Sequence, residues 1–154
     1  MIKIMKELWN KREKNLRNVL AGRLDARDFC YADFVKLTFE IIFNDDPSTE
    51  RKLDLKNMTE IDNGDYQGTL LYLIPFKTYQ PTEREYLMTY IGYGSCSGCD
   101  SLQAAINWRN RGALTETELA AVMEICKDIV CDTIKPYNSG WRCDEKYQPV
   151  EEKV

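Results

Sequence analysis

Two cysteines spaced as Cys96-Ser97-Gly98-Cys99 sit inside the run Gly92-Tyr93-Gly94-Ser95-Cys96-Ser97-Gly98-Cys99-Asp100. Thiolates are nucleophiles and soft metal ligands. A C-x-x-C pair between a strand and a helix therefore reads as a thiol redox site or as half of a zinc site. Redox chemistry needs the first thiol at the helix N-terminus, where the helix dipole favours the thiolate. Asp100 opposes that reading: if it caps the helix, both thiols precede the helix and a carboxylate lies beside Cys99. The βαβ pattern of a thioredoxin fold is also missing upstream. A zinc site through Cys96 and Cys99 needs two further thiolates. Cys126 and Cys131 are the only other close pair, and five residues along a helix is a rotation of about 140°, a poor clamp. Cys143 could replace them from the tail. Cys126 falls on an apolar stripe and reads as core, and Cys30, ahead of an aromatic-rich helix, reads as buried filler.

Two readings of the same turn need no thiol chemistry. Gly92, Gly94 and Gly98 would supply positive φ or close backbone approach in a tight strand-to-helix connection, with Cys and Ser as small fillers. Alternatively, consecutive backbone N–H groups ahead of the helix would form a nest for a small anionic or nucleotide ligand. The spacing matches neither a Walker A loop nor G-x-G-x-x-G. Tyrosines gather around the expected sheet, and most are packing residues. Tyr79 on a loop and Trp141 in the tail join the turn as candidate partner contacts. Asp62, Asp65 and Asp100 show no spacing that singles out an acid/base pair.

The chain of 154 residues contains no histidine. That removes Ser-His-Asp and Cys-His catalysis, histidine-ligated metals and an imidazole proton shuttle. A net charge of −4 argues against phosphate-driven nucleic-acid binding, because that binding depends on clustered Lys and Arg. The one basic stretch, Lys3 to Arg27, is interleaved with Glu7, Glu13 and Asp25, as on a solvated helix face. No apolar run approaches a membrane span, and the start of the chain lacks a signal-peptide core. The six cysteines are accordingly read as reduced thiols in a cytoplasmic protein. No cofactor is expected, with zinc at Cys96 and Cys99 as the alternative.

The elements that position the turn follow from periodicity. Met5, Leu8, Trp9, Leu16, Val19 and Leu20 recur at helical spacing and predict a helix ending near Ala21-Gly22. A second helix, capped by Asp28, carries Tyr31, Phe34, Val35, Thr38, Ile41 and Ile42 on one face and stops at Asn44-Asp45-Asp46-Pro47. Asn63-Gly64 predicts a two-residue hairpin between a strand ending at Asp62 and a second strand, Asp65 to Ile74. That second strand is apolar on both faces and belongs at the centre of a sheet. After a surface connection, Tyr86 to Ile91 makes a third strand that leads into the turn. Asp100, with Gln103 completing a capping box, opens a helix that Gly112 closes and that turns Leu102, Ala105 and Ile106 inward. A second capping box, Thr115 to Glu118, opens a last helix with Leu119, Val122, Cys126, Ile129 and Val130 on its inner stripe, running to about Thr133. The tail to Trp141 should dock, and residues 144–154 fray. The expectation is one α+β domain: an antiparallel sheet of three or slightly more strands, with two N-terminal and two C-terminal helices packed on it.

The segments Glu60 to Leu71, Tyr90 to Gln103 and Ile134 to Trp141 resemble those of a family of small uncharacterised bacteriophage and mobile-element proteins that carry a Gly-Tyr-Gly-Ser-Cys-Ser-Gly-Cys-Asp turn. The resemblance covers most of residues 28 to 143, and the family has no activity to transfer. It implies a setting in which small acidic proteins bind and block host proteins, CRISPR nucleases among them. The expected function is therefore a non-enzymatic interaction protein that inhibits a host protein. A cysteine-dependent zinc or redox protein and a small-anion binder are the alternatives.

Overall fold

The computed structural model describes residues 2–134, apart from 66, 96, 97 and 99. Helix α1 (Ile2–Gly22) buries Met5, Leu8, Trp9, Leu16 and Leu20. Val19, placed on that stripe by spacing, stays exposed, since it lies about 100° round from Leu20.

Helix α2 (Tyr31–Phe39) is capped by Cys30, not Asp28, which belongs to the short turn Ala26–Asp28 before it. The Cys30 N–H donates to Asp33 Oδ2 at 3.0 Å and the thiol reaches the same oxygen at 3.3 Å. Cys30 is thus an exposed cap, where a buried filler was expected. The inner face of α2 is the expected one, with Tyr31, Phe34, Val35 and Thr38 buried. It continues to Ile41 and Ile42 through a widened turn closed by the Asp45 N–H on the Glu40 carbonyl at 2.8 Å. Arg12 of α1 uses that widening, donating from Nε to the Ile41 carbonyl at 2.6 Å.

Strands β1 (Thr59–Asp62), β2 (Gly68–Pro75) and β3 (Tyr86–Tyr93) form an antiparallel meander in the order β1-β2-β3, with the apolar strand at the centre as predicted. The two-residue Asn63-Gly64 turn does not form; the connection spans residues 63–67. A two-residue turn of that type needs positive φ at both positions, and Asn63 does not adopt it. The Asn63 N–H donates to the Thr69 carbonyl at 3.2 Å, while its side-chain oxygen accepts from the Thr69 N–H at 2.7 Å. Gly64 meets the returning chain closely: a Cβ there would lie 2.2 Å from the Gln67 carbonyl oxygen.

Helix α3 (Ser101–Ala105) is capped by Asp100, as its sequence implies, but lasts five residues and does not reach Gly112. Gly112, at φ 76°, instead bends the loop that follows. Gln103 donates its amide to the Gly94 carbonyl at 3.4 Å in place of the expected capping box. Helix α4 (Glu116–Cys131) opens with the Thr115/Glu118 box and buries Leu119, Val122, Cys126, Ile129 and Val130. Ile134 then exchanges both backbone hydrogen bonds with Met88 on β3, at 2.8 and 2.9 Å. The expected docking and fraying of the tail fall outside the described residues.

The architecture is α+β, with helices packed on one face of the sheet. On that face Tyr72, Ile74, Leu87 and Thr89 are buried, and the Thr89 hydroxyl donates to the Ile129 carbonyl of α4 at 2.7 Å. Strand alternation turns Ile61, Leu71, Leu73, Met88 and Tyr90 to the opposite face, outside the packed core. Among the described residues no helix is long and apolar enough to cross a membrane.

Candidate functional site

The glycine- and cysteine-rich turn is built around one carboxylate. Asp100 Oδ1 accepts from the Leu102 and Gln103 N–H groups, each at 3.0 Å, and from the Tyr31 hydroxyl at 2.8 Å. Its Oδ2 accepts from the Gly94 N–H at 3.0 Å. The two ends of the turn are thereby pulled together, and Asp100 is buried as a consequence. Tyr31 comes from α2, so the brace also ties the turn to the helical layer. Burial, and after it the neighbouring Asp100 carboxylate, pushes the Tyr31 phenol well above its ordinary value.

This arrangement takes up three of the backbone donors at the ends of the turn. The N–H groups of Gly94, Leu102 and Gln103, which a nest would aim at a bound anion, point at the chain's own carboxylate. Both carboxylate oxygens are occupied in turn, which suits a structural brace better than a general base. Gly92 lies in β3, paired with Thr69 and exposed; a Cβ there meets nothing within 4 Å and its φ is not left-handed. The positive-φ role expected of it is not needed. Tyr93, half-buried at the end of β3, donates its hydroxyl to Asp62 Oδ1 at 2.5 Å, which holds the Asp62 carboxyl below its usual range. Ser95 and Gly98 are exposed. Cys96, Ser97, Cys99 and Trp141 lie outside the described residues.

Tyr79 does not join this site. It sits 95% exposed on the β2–β3 connection, at the other end of β3, about 23 Å from the turn for eight extended residues. Two of the described thiols, Cys126 and Cys131, are not poised for chemistry at neutral pH. Burial pushes Cys126 up to about 12 and raises Cys131, and Cys126 sits in the core as its position on the apolar stripe implied. Among the described residues no three Cys, Asp or Glu side chains gather as a metal group.

Two surfaces escaped the sequence reading. The first is the outer sheet face, where Ile61 is 43% and Tyr90 39% exposed beside half-buried Leu71, Leu73 and Met88. Its signal was present in the unbroken apolar run of β2, which was attributed to central position alone. The second is the connection from α3 to α4, which carries Trp108 at 77% exposure. A buried ion pair holds that loop: Arg27 Nη1 meets Glu118 Oε2 at 2.5 Å. Arg27 also donates to the carbonyls of Asn107, Gly112 and Ala113, and Glu118 accepts from the Asn107 and Thr115 N–H groups. A lone tryptophan in the polar run Asn107 to Gly112 was its only sequence signal.

Comparison with known protein families, with curated proteins and with solved structures finds no match for this chain.

Proposed function

We propose that this chain is a non-enzymatic interaction protein of a phage or mobile element, which binds a host protein and blocks it. One observation carries the reading: the outer face of the sheet is apolar. An antiparallel sheet with one face on the core ordinarily presents polar residues on the other. Here Leu71, Leu73, Met88, Tyr90 and Ile61 lie side by side on that face. Ile61 and Tyr90 are exposed there beside half-buried Leu71, Leu73 and Met88, and apolar side chains gathered at the surface mark an interaction site.

The test is capture from bacterial lysate, run in parallel with the wild type, a Leu71→Lys/Met88→Lys variant and a Tyr79→Ala variant. A protein retained by the wild type and by Tyr79→Ala, but lost by the sheet-face variant, supports the reading. Retention by all three overturns it. The resemblance to phage proteins makes host defence nucleases of the CRISPR type the first targets to assay for inhibition.

A cysteine-dependent role is the second reading. It draws on the closure of the turn by Asp100, which draws together the ends of the segment bearing Cys96 and Cys99. Zinc content, with thiol titration before and after mild oxidation, tests it. No metal and no reactive pair would end it.

A further inference from the structure

Building on the reading that the sheet meets a protein, we propose that the partner adds an extended segment to the outer edge of β1, one that alternates apolar residues with Lys or Arg. All four residues of β1 are exposed, and among the described residues no chain pairs with its outer edge. The other edge differs, because Ile134 pairs with Met88 there. Beyond the end of β1 residues 52–54 pair with the continuation of β2, and the outward Leu53 N–H and carbonyl are taken by the Asn44 side chain at 2.7 and 3.0 Å. The opening is thus confined to β1.

Its hydrogen-bonding direction follows from the ladder. The Asn63 N–H donates to the Thr69 carbonyl. In an antiparallel pair such inward bonds alternate along the strand, so Ile61 and Thr59 also face β2. The N–H and C=O groups of Glu60 and Asp62 then point outward, about 7 Å apart. Exposed edges are blunted by short length, charged side chains, proline or a bulge. Thr59-Glu60-Ile61-Asp62 has no proline and keeps an unbroken register with β2; its protection is its two carboxylates, which oppose an acidic strand and favour a cationic one.

The two faces of that edge specify different side chains. On an added strand, a residue beside Ile61 projects to the outer face, where it extends the apolar surface of Leu71 and Tyr90. The alternate residues project to the face that carries the Glu60 and Asp62 carboxylates. Tyr72 and Tyr93 hydroxyls donate to those carboxylates without neutralising them. Along residues 54–65, Asp54, Glu60, Asp62 and Asp65 stand against Lys56, with Lys52 and Lys77 lying past the end of the strand. The five charges within residues 54–65 sum to −3 of the chain's −4, which repels a nucleic acid or an acidic peptide and attracts a cationic one. Main-chain pairing supplies the register, and the alternating side chains supply the selection.

The probes are peptides of about seven residues, a usual strand length: one alternates valine with lysine, one alternates valine with glutamate, and one scrambles the lysine sequence. Amide hydrogen exchange of the whole protein reads the edge. The lysine peptide should slow exchange at Glu60 and Asp62 by about tenfold or more, while Thr59 and Ile61, already bonded to β2, change little. Glu60→Gln with Asp62→Asn keeps both tyrosine acceptors and should weaken peptide binding by about tenfold at about 0.15 M salt. Unchanged exchange at Glu60 and Asp62 overturns the proposal, as does equal binding of the glutamate or scrambled peptide. Tighter binding of an oligothymidylate would overturn it in favour of a nucleic acid. Failure here leaves the lysate result standing, whereas capture indifferent to Leu71→Lys/Met88→Lys removes the sheet-face reading itself.

Discussion

Asp100 is a single side chain that accepts from four donors: Gly94 N–H, Gln103 N–H, the Tyr31 hydroxyl and the Leu102 N–H, which it shares with the Tyr31 oxygen. Buried donors left without an acceptor keep their full desolvation cost. Asp100→Ala should therefore destabilise by about 3 kcal/mol, combining a lost cap with orphaned donors, and lower Tm by about 10 °C in thermal denaturation. Tyr31→Phe removes one of the four and should cost about 1 kcal/mol. If Asp100→Ala costs no more than Tyr31→Phe, the carboxylate is not what closes the turn. The capping part of this role was legible, because an Asp ahead of an apolar run is an N-cap signature. Its reach back to Gly94 and across to Tyr31 was not, since sequence spacing does not show which side chains meet from another helix. Cys30 shows the same limit. A cysteine rarely reads as a cap, yet Asp33 three residues on is the half of the pattern that could have been noticed.

The elements depend on such ends. Serine is a better N-cap acceptor than a thiol, and Cys30 is exposed with Asp33 already bonded to its N–H. Cys30→Ser should stabilise α2, raising the unfolding free energy by about 0.5 kcal/mol in denaturant titration. A loss of stability would show that the thiol packs there. The loop before α4 depends instead on Arg27 and Glu118. The Arg27 guanidinium, against the opposing effect of burial, holds the Glu118 carboxyl down to about 2 from an ordinary 4.5. Asp46 is likewise held at about 2, chiefly by the Ser48 hydroxyl, with Lys11 at 3.1 Å adding to it. A carboxylate depressed in the folded state stabilises it fully above the unfolded value, and that contribution is lost as pH falls through the folded one. Stability should thus decline from about pH 4.5 towards about pH 2. Glu118→Gln should cost about 3 kcal/mol at neutral pH and give a shallower acid decline. Equal slopes for the two proteins would place the acid sensitivity elsewhere. Helical boundaries in these regions were legible to within a few residues where the 3.6-residue stripe was long, as in α1 and α4. They were not for α3, where Arg27, some 80 residues from Asn107 in the chain, holds the loop conformation in place of further helix.

At the level of the whole molecule, the antiparallel meander with helices at both ends was legible from the order of periodicities alone, since a change from 3.6 to 2 marks the sheet. Which face of the sheet the helices cover was not, because β2 is apolar on both sides. The structure resolves it by pairs: Ile74 is fully buried against the helices, while Leu73, one residue earlier, points outward and is half-buried. The two positions make a controlled comparison of core and surface on one strand. Ile74→Ala removes buried methylenes and leaves a cavity, and should cost about 3 kcal/mol. Leu73→Thr keeps β-propensity and loses only partly exposed apolar area, and should cost less than about 1 kcal/mol. The same Leu73→Thr change should reduce binding of a hydrophobic dye to the native protein, because it breaks the patch that Leu71, Met88 and Tyr90 complete. Chemical denaturation measures the first pair of values and dye fluorescence the second. Equal costs at the two positions would mean that the outer face is packed as tightly as the inner one, and would remove the surface on which the proposed binding rests.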